Sequence, residues 1–272
     1  MADPPRGNRL GGMALANGLL VHGPSHWAAA VRDDDGRMVV ASGRKQLFRA
    51  GRLTDMPVAR GLVRLGEAFA VLPAVRRGLP QARFAMEDRA TVGAAVGATV
   101  VAAVARRRLR SILAQEIVGA VAGLAPAVLT LRGSRAAIWH AVEHKSIAAY
   151  EAGGADEVAN AEGHAKEHER CGSNLILPLV VSTVIGNTVT RKLVRRPTFG
   201  VRTAMSALSI GAAVEVFSFS ARRPEHPVSR LVHGVGHAMQ SGFATREPSQ
   251  SDLLVGRAAM EALIRAEGAS RL

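Results

Sequence analysis

Four stretches of the chain carry almost no charge. They are residues 90–105 (16 residues), 117–131 (15), 171–190 (20) and 203–221 (19, broken only by Glu215). A helix needs about 20 apolar residues to cross a hydrocarbon layer of roughly 30 Å, so the third run is long enough and the others are short or marginal. Taken in pairs, they predict two apolar helical hairpins. Pro126, inside the second run, is expected to kink or end its helix. The runs are rich in Ala and Gly, which suit close helix–helix contact. A soluble bundle of buried, Ala-rich helices is the competing reading.

The flanking segments show shorter periods. Residues 27–31 and 38–41 are apolar and are separated by Asp33-Asp34-Asp35-Gly36, a β-hairpin pattern. Gly11-Gly12 and Gly23-Pro24 mark sharp turns around another apolar segment, either as ordinary punctuation or as a loop laid close to a site. Val58, Leu62, Val63, Leu65, Phe69 and Leu72 recur at helical spacing, with Arg60 and Arg64 on another face. That predicts an amphipathic helix lying on a bilayer or against other helices. Near the end, Ser249 or Ser251 can cap a last amphipathic helix with Leu253, Leu254, Ala258 and Leu263 on its apolar side. The first 27 residues lack a signal-peptide pattern, which predicts insertion through the later segments. The expected fold class is mainly α and membrane-associated, two apolar helical hairpins with a small N-terminal β-hairpin region. Its segments are 1–89, 90–131, 132–172 (carrying the His, Glu and Cys motifs), 173–222 and 223–272.

Charge sharpens the choice of partner. A formal charge of +13 and a pI near 11.4 point to nucleic acid or to an anionic membrane surface. Only 4% of residues are aromatic, with one tyrosine, so stacking platforms for single strands are poorly supplied, and no nucleic-acid-binding signature is present. Arg106-Arg107-Arg108 with Arg110, Arg191-Lys192, Arg195-Arg196 and Arg222-Arg223 instead bracket the apolar runs. The expected partner is therefore the lipid bilayer, with no nucleic acid, and the expected location is the inner (cytoplasmic) membrane, multi-pass. An even number of spans and no signal peptide place the histidine segment in the cytoplasm. The positive-inside rule would hold the two short basic loops there instead, and re-entrant helices would reconcile the two.

Between the hairpins lies WHAVEHKSIAAYEAGGADEVANAEGHAKEHERC, residues 139–171. His140, Glu143 and His144 form an H-x-x-E-H pattern; His164, Glu167 and His168 form a second copy before the single cysteine, Cys171. On a helix, His140 and His144 share a face one turn apart, where two imidazoles can hold one divalent ion while Glu143 acts on water as general base. Glu151 continues the same stripe. His168 and Cys171, three residues apart, can complete a tetrahedral set, and the N/S donors favour zinc over magnesium. The second copy lies in a charged run, where a solvated helix also explains it. Glu215, inside an apolar run, needs a partner or a polar cavity. Arg246 can neutralise a substrate anion or form a plain salt bridge.

Four ordered blocks resemble the YqhQ-like family of bacterial integral membrane proteins, a family of unknown function labelled as predicted metal-dependent enzymes. They are GGMALANGLLVHGP (11–24), WHAVEHKSIAAYE (139–151), HERCGS (168–173) and FATREP (243–248). His140, Glu143, His144, Lys145, Glu151, His168, Arg170, Cys171, Gly172, Thr245, Arg246 and Glu247 match the family pattern, and Glu215 matches its intramembrane glutamate. Met13, Asn17 and His22 stand where the family usually has Gln, Glu and Arg. If that glutamate is a ligand or base in relatives, this chain is altered in its chemistry. The sequence thus leads to a membrane-embedded metal-dependent hydrolase, with a structural metal clamp as the alternative and a divalent-cation handler built on Glu215 as a third reading. Its expected catalytic residues are Glu143 and Arg246; its expected metal ligands are His140, His144, Glu151, His168 and Cys171.

Overall fold

The computed structural model describes residues 10–48, 51–84 and 87–269. The N-terminal part is a four-stranded antiparallel meander: β1 (Gly11–Leu15), β2 (Gly18–His22), β3 (His26–Arg32) and β4 (Met38–Arg44), in that order across the sheet. The hairpin expected over 27–41 is β3–β4, closed by a turn in which the Asp33 N–H donates to the Arg37 carbonyl (2.9 Å) and Gly36 takes φ +77°. The segment between the two glycine pairs adds the β1–β2 hairpin. At its turn the Asn17 amide donates to the carbonyls of Arg32 (2.7 Å) and Gln81 (3.0 Å), and its oxygen accepts from the Arg83 N–H (3.0 Å).

Both faces of the sheet are covered. Leu19, Val21, Ala28 and Ala30 point to one side and pack with Trp139, Val142, Val255 and Met260. Leu15, Leu20, Ala29 and Val31 point to the other and meet Val71, Val75 and Leu79. A strand apolar on both faces loses the apolar/polar alternation that would announce it.

Helices cover the layer on both sides: α6 (Arg135–Gly153) and α10 (Gln250–Ala269) lie on the first face, and α2 (Leu72–Gly78) lies on the second. In α10 the Ser249 hydroxyl accepts from the Asp252 N–H (3.2 Å), the expected cap. The buried side is Val255, Ala259, Met260 and Leu263; Leu254, expected there, faces outward, because the sheet lies one step round the helix. Near the C-terminal end of α10, Glu267 accepts from the Ser25 N–H (2.9 Å), the Ser25 hydroxyl (2.6 Å) and the His26 N–H (2.8 Å). Burial would raise this carboxyl, but those donors outweigh it and hold it below the usual range.

The apolar runs form four helices that are long and apolar enough to cross a membrane by length and composition: α3 (Arg89–Arg108), the span Ile112–Leu131, α7 (Ser173–Leu193) and α8 (Phe199–Arg222). Pro126 breaks the second span into α4 (Ile112–Ala122) and α5 (Ala125–Leu131). Only 6% of the most apolar window of α3 and 11% of that in the second span are buried. Val92, Val96, Val100 and Val104 face outward, the opposite of buried soluble helices. The two hairpins join through α4 and α7. Loops 109–111 and 194–198 lie at one end of the bundle, and the histidine segment leaves from the other.

The amphipathic helix expected over 57–72 is α1 (Ala59–Ala70), packed along α8. The Arg60 guanidinium pairs with Glu215, its Nε donating at 2.7 Å, and the Val58 N–H donates to the same carboxylate (3.2 Å). Val58 takes φ +70°, a conformation that costs a β-branched residue on the order of 1–3 kcal/mol. Its Cγ1 would sit 2.3 Å from a Cβ placed on Gly211, so the approach of α1 to α8 requires that glycine. Glu215 thus has an arginine partner within the fold, which supplies the compensation a cation-handling role would otherwise explain.

Glu267→Ala is expected to destabilise the fold by about 2–3 kcal/mol, because it leaves the Ser25 and His26 N–H groups unpaired. Since the carboxyl is depressed, the same stabilisation is present above the ordinary carboxylate range and is lost as pH falls through the folded-state value. Denaturant melts of wild type and variant should therefore converge at acid pH; a constant gap across pH would refute the assignment.

Candidate metal centre

Helix α6 starts after Ser134 and ends at Gly154, whose φ of +74° suits glycine. Glu143, His144, Lys145 and Ser146 are consecutive and buried, so the helix is enclosed on every side through its middle. One side meets β1 and β2, another α10, and a third the segment 156–172. The chain after α9 (Pro227–Met239) closes the fourth side through a π-helical turn, Gln240–Ala244.

The first H-x-x-E-H copy is helical as expected, and its two imidazoles lie with ring centroids 4.3 Å apart. His140 Nδ1 lies 2.8 Å from the Ala244 carbonyl oxygen, and His144 Nδ1 lies 2.6 Å from that of Lys166. A carbonyl only accepts, so both rings carry their proton on Nδ1 and leave the Nε2 lone pair free. His140 Nε2 is 3.2 Å from Cys171 Sγ. One donor atom from each of His140, His144 and Cys171 falls within 4.8 Å of the others. Burial, the largest effect, lowers the His144 imidazole below its ordinary value and so favours the neutral form that a metal needs. Two imidazoles, each oriented by a backbone carbonyl, with one thiol form a group that could hold a metal ion.

These groups open onto a cavity of about 390 Å³ that also exposes Glu143 and His168. Its remaining wall is mostly apolar and includes Leu131 of α5, Ile176 of α7 and Phe243 of the π turn. Glu143 is buried, and that burial raises its carboxyl above the usual range against the opposing pull of His140 and His168. Gly12 of β1 makes room for it: a Cβ there would lie 2.5 Å from Glu143 Oε1 and 2.6 Å from its Cγ. His22 lines the cavity too, pushed down to about 4 by burial and by the neighbouring Lys45, whose Nζ lies 3.2 Å from His22 Nδ1.

The other sequence candidates are distributed around this set. His168 lines the cavity, but its Nδ1 accepts from the Arg170 N–H (3.2 Å) and its Nε2 lies 3.6 Å from Glu151 Oε2. Glu151 pairs with Arg170 as well, so it orients His168 and is not in the three-donor group. The second H-x-x-E-H copy is not helical; His164 sits 3.4 Å from Glu157 and outside the cavity lining. Arg246 is exposed, does not line the cavity, and joins the site only through its N–H to the Ala137 carbonyl (3.0 Å). Its neighbour Glu247 pairs with buried Lys145 (2.7 Å), whose Nζ also donates to the carbonyls of Glu162 (3.0 Å) and His164 (2.8 Å). Of the three departures from the family pattern, Met13 and His22 line the cavity whereas Asn17 holds the β1–β2 turn.

Three contributors were not found from sequence, the Lys166 carbonyl among them. The Ala244 carbonyl has no side-chain signal. Gln240, which accepts from the His168 N–H (2.7 Å) and donates to the Ser173 hydroxyl (2.8 Å), is signalled only as a lone amide in an otherwise weakly polar stretch.

Gly12→Ala is expected to cost about 1–3 kcal/mol of stability by crowding Glu143. In a Glu143→Ala background the penalty should disappear. Thermal melts of the four proteins measure this, and an equal penalty in both backgrounds would place the crowding elsewhere.

No curated protein and no solved structure matches the chain. Residues 133–266, which include the three donors and Glu143 but not Gly12, match the model of an uncharacterised family described as "Protein of unknown function (DUF1385)".

Proposed function

We propose that the chain is a multi-pass inner-membrane, metal-dependent hydrolase whose centre lies at the cytoplasmic end of its apolar helices. His140, His144 and Cys171 hold zinc in this reading. The observation that carries it is the donor count: three protein donors leave a tetrahedral ion one open position, the arrangement of catalytic sites, whereas four would close it. When bound, zinc supplies a Lewis acid that polarises a carbonyl or phosphoryl oxygen and acidifies water.

The chain's own groups then have separate tasks. Ala244 and Lys166 fix the ring orientation of the two histidines through their carbonyls. Glu143, exposed to the same cavity and kept there by Gly12, takes the proton from water and returns it to the leaving group. His168, whose backbone N–H is held by Gln240 and whose ring Nε2 faces Glu151, lines the cavity edge as a positioned imidazole. The apolar wall excludes bulk water and suits a substrate with an apolar body, consistent with a cavity reached from the end of the apolar helices.

The competing reading is a structural clamp. It has one observation behind it: the His168 ring lies 5.7 Å from that of His144, within reach of becoming a fourth ligand.

Elemental analysis and X-ray absorption of detergent-purified protein test both. About one zinc per chain is expected, with two N and one S protein ligands plus a light-atom ligand. His140→Ala with His144→Ala should remove the metal and leave Cys171 open to alkylation, while Glu143→Gln and His168→Ala should keep it. Loss of metal in His168→Ala would favour the clamp, and equal, near-zero metal in wild type and the double-histidine variant would end the proposal.

The helices are expected to span. Because loop 109–111 and the C-terminal helix α10 lie at opposite ends of the bundle, reporters fused at position 110 and at the C terminus should report opposite sides of the membrane. The same side for both would mean re-entrant helices.

A further inference from the structure

At the end of the bundle away from the metal centre, α3, α4, α7 and α8 surround a second cavity of about 580 Å³. Its wall carries four arginines from three helices and a loop: Arg106 at the end of α3, Arg191 on α7, Arg195 in the loop that follows, and Arg202 in the first turn of α8. One carboxylate faces them. Glu116 of α4 is buried, accepts from Arg191 Nη1 (2.9 Å) and Asn187 Nδ2 (2.8 Å), and lies 3.8 Å from Arg106 Nε. Arg191 also donates to Gln115 (2.6 Å). Glu116 therefore answers Arg191 and, more weakly, Arg106. Arg202 makes only a hydrogen bond to the Pro197 carbonyl (3.2 Å), and among the described residues no carboxylate lies within ion-pair distance of Arg195 or Arg202.

Four guanidiniums against one carboxylate leave a formal excess of three positive charges around one hollow. Like charges brought this close repel one another, and an anion in the hollow would relieve them. The planar guanidinium fork matches the paired oxygens of a phosphate better than it matches a spherical ion. The hollow also sits where four apolar helices end, which is head-group level if those helices lie in a bilayer. We propose that this cavity binds a phosphate group, held chiefly by Arg195 and Arg202, and that the phosphate is the head-group ester of an anionic phospholipid. The site is separate from the metal centre and does not depend on its chemistry.

The test titrates the full chain in detergent with short-chain phosphatidylglycerol, short-chain phosphatidylcholine and inorganic phosphate, read by native mass spectrometry. Phosphatidylglycerol should bind and phosphatidylcholine should not. Arg195→Gln with Arg202→Gln should weaken phosphatidylglycerol on the order of tenfold, given what each basic residue near a head group contributes. Arg257→Gln with Arg265→Gln, which removes the same charge from the exposed side of α10, should leave affinity unchanged. Glu116→Gln keeps an acceptor oxygen for Asn187 and removes the competing charge, so it should strengthen binding severalfold. Competition by millimolar inorganic phosphate would overturn the lipid assignment and give the cavity to the free anion, whereas no competition supports the lipid ester. Equal loss in both arginine pairs, equal binding of the two lipids, or no gain in Glu116→Gln would overturn it.

Discussion

Burying α6 obliges the structure to find partners for a run of polar side chains. A buried polar group without a partner costs on the order of kilocalories, and a buried charge costs more. Glu143, His144 and Lys145 are adjacent and nearly inaccessible. His144 spends its Nδ1 on the Lys166 carbonyl, and Lys145 spends its ammonium on Glu247 and two carbonyls of the 156–164 segment. Those same bonds draw the 156–172 segment and the turn after α9 around the helix. The neighbours that satisfy α6 are thus the neighbours that shape the cavity. Among the described residues Glu143 has no neutralising partner in direct contact and the neighbouring Ser146 hydroxyl has none either; Glu143 is the group whose proton affinity burial shifts upward.

The rest of the architecture supports that enclosure from two directions. The four-stranded sheet supplies a rigid wall, and its first strand passes so close to Glu143 that only glycine fits at position 12. The apolar bundle supplies the floor through Leu131 and Ile176. The candidate metal centre thus lies between the β-sheet layer and helices long and apolar enough to cross a bilayer. At the far end of the bundle the chemistry inverts: arginines gather round a hollow with too little negative charge to balance them. One set of helices therefore separates a histidine–thiol cluster from an arginine-lined cavity.

Much of this was legible in advance, for reasons that differ by element. The apolar helices were readable because uninterrupted apolar runs ended by arginines have few alternative uses, and Pro126 marked its own break. Helix α10 was readable from its Ser249 cap, but its buried face was displaced toward Val255 and Met260, since the sheet decides which side of a weakly amphipathic helix is inside. Strands β1 and β2 were hidden because Leu19 and Leu20 are both buried, on opposite faces, and so no alternation survives. The second H-x-x-E-H copy shows the converse hazard: a spacing with meaning on a helix has none in the turns where His164 and His168 lie.

The sequence by itself determined that two candidate donors share a face, because spacing four on a helix places His140 and His144 on one side wherever that helix goes. It also determined the apolar helices and the basic ends that bracket them. Tertiary structure alone decided which of five candidate ligands converge, since that depends on chain returning from 31 and 104 residues away to bring Cys171 and the Ala244 carbonyl to His140. It placed Glu151 beside Arg170 and His168, gave Glu215 an arginine, left Arg246 outside the cavity lining and revealed Gly12 as a spacer. Local spacing is written in consecutive residues, whereas convergence is a property of how distant backbone segments pack, and no single segment carries it.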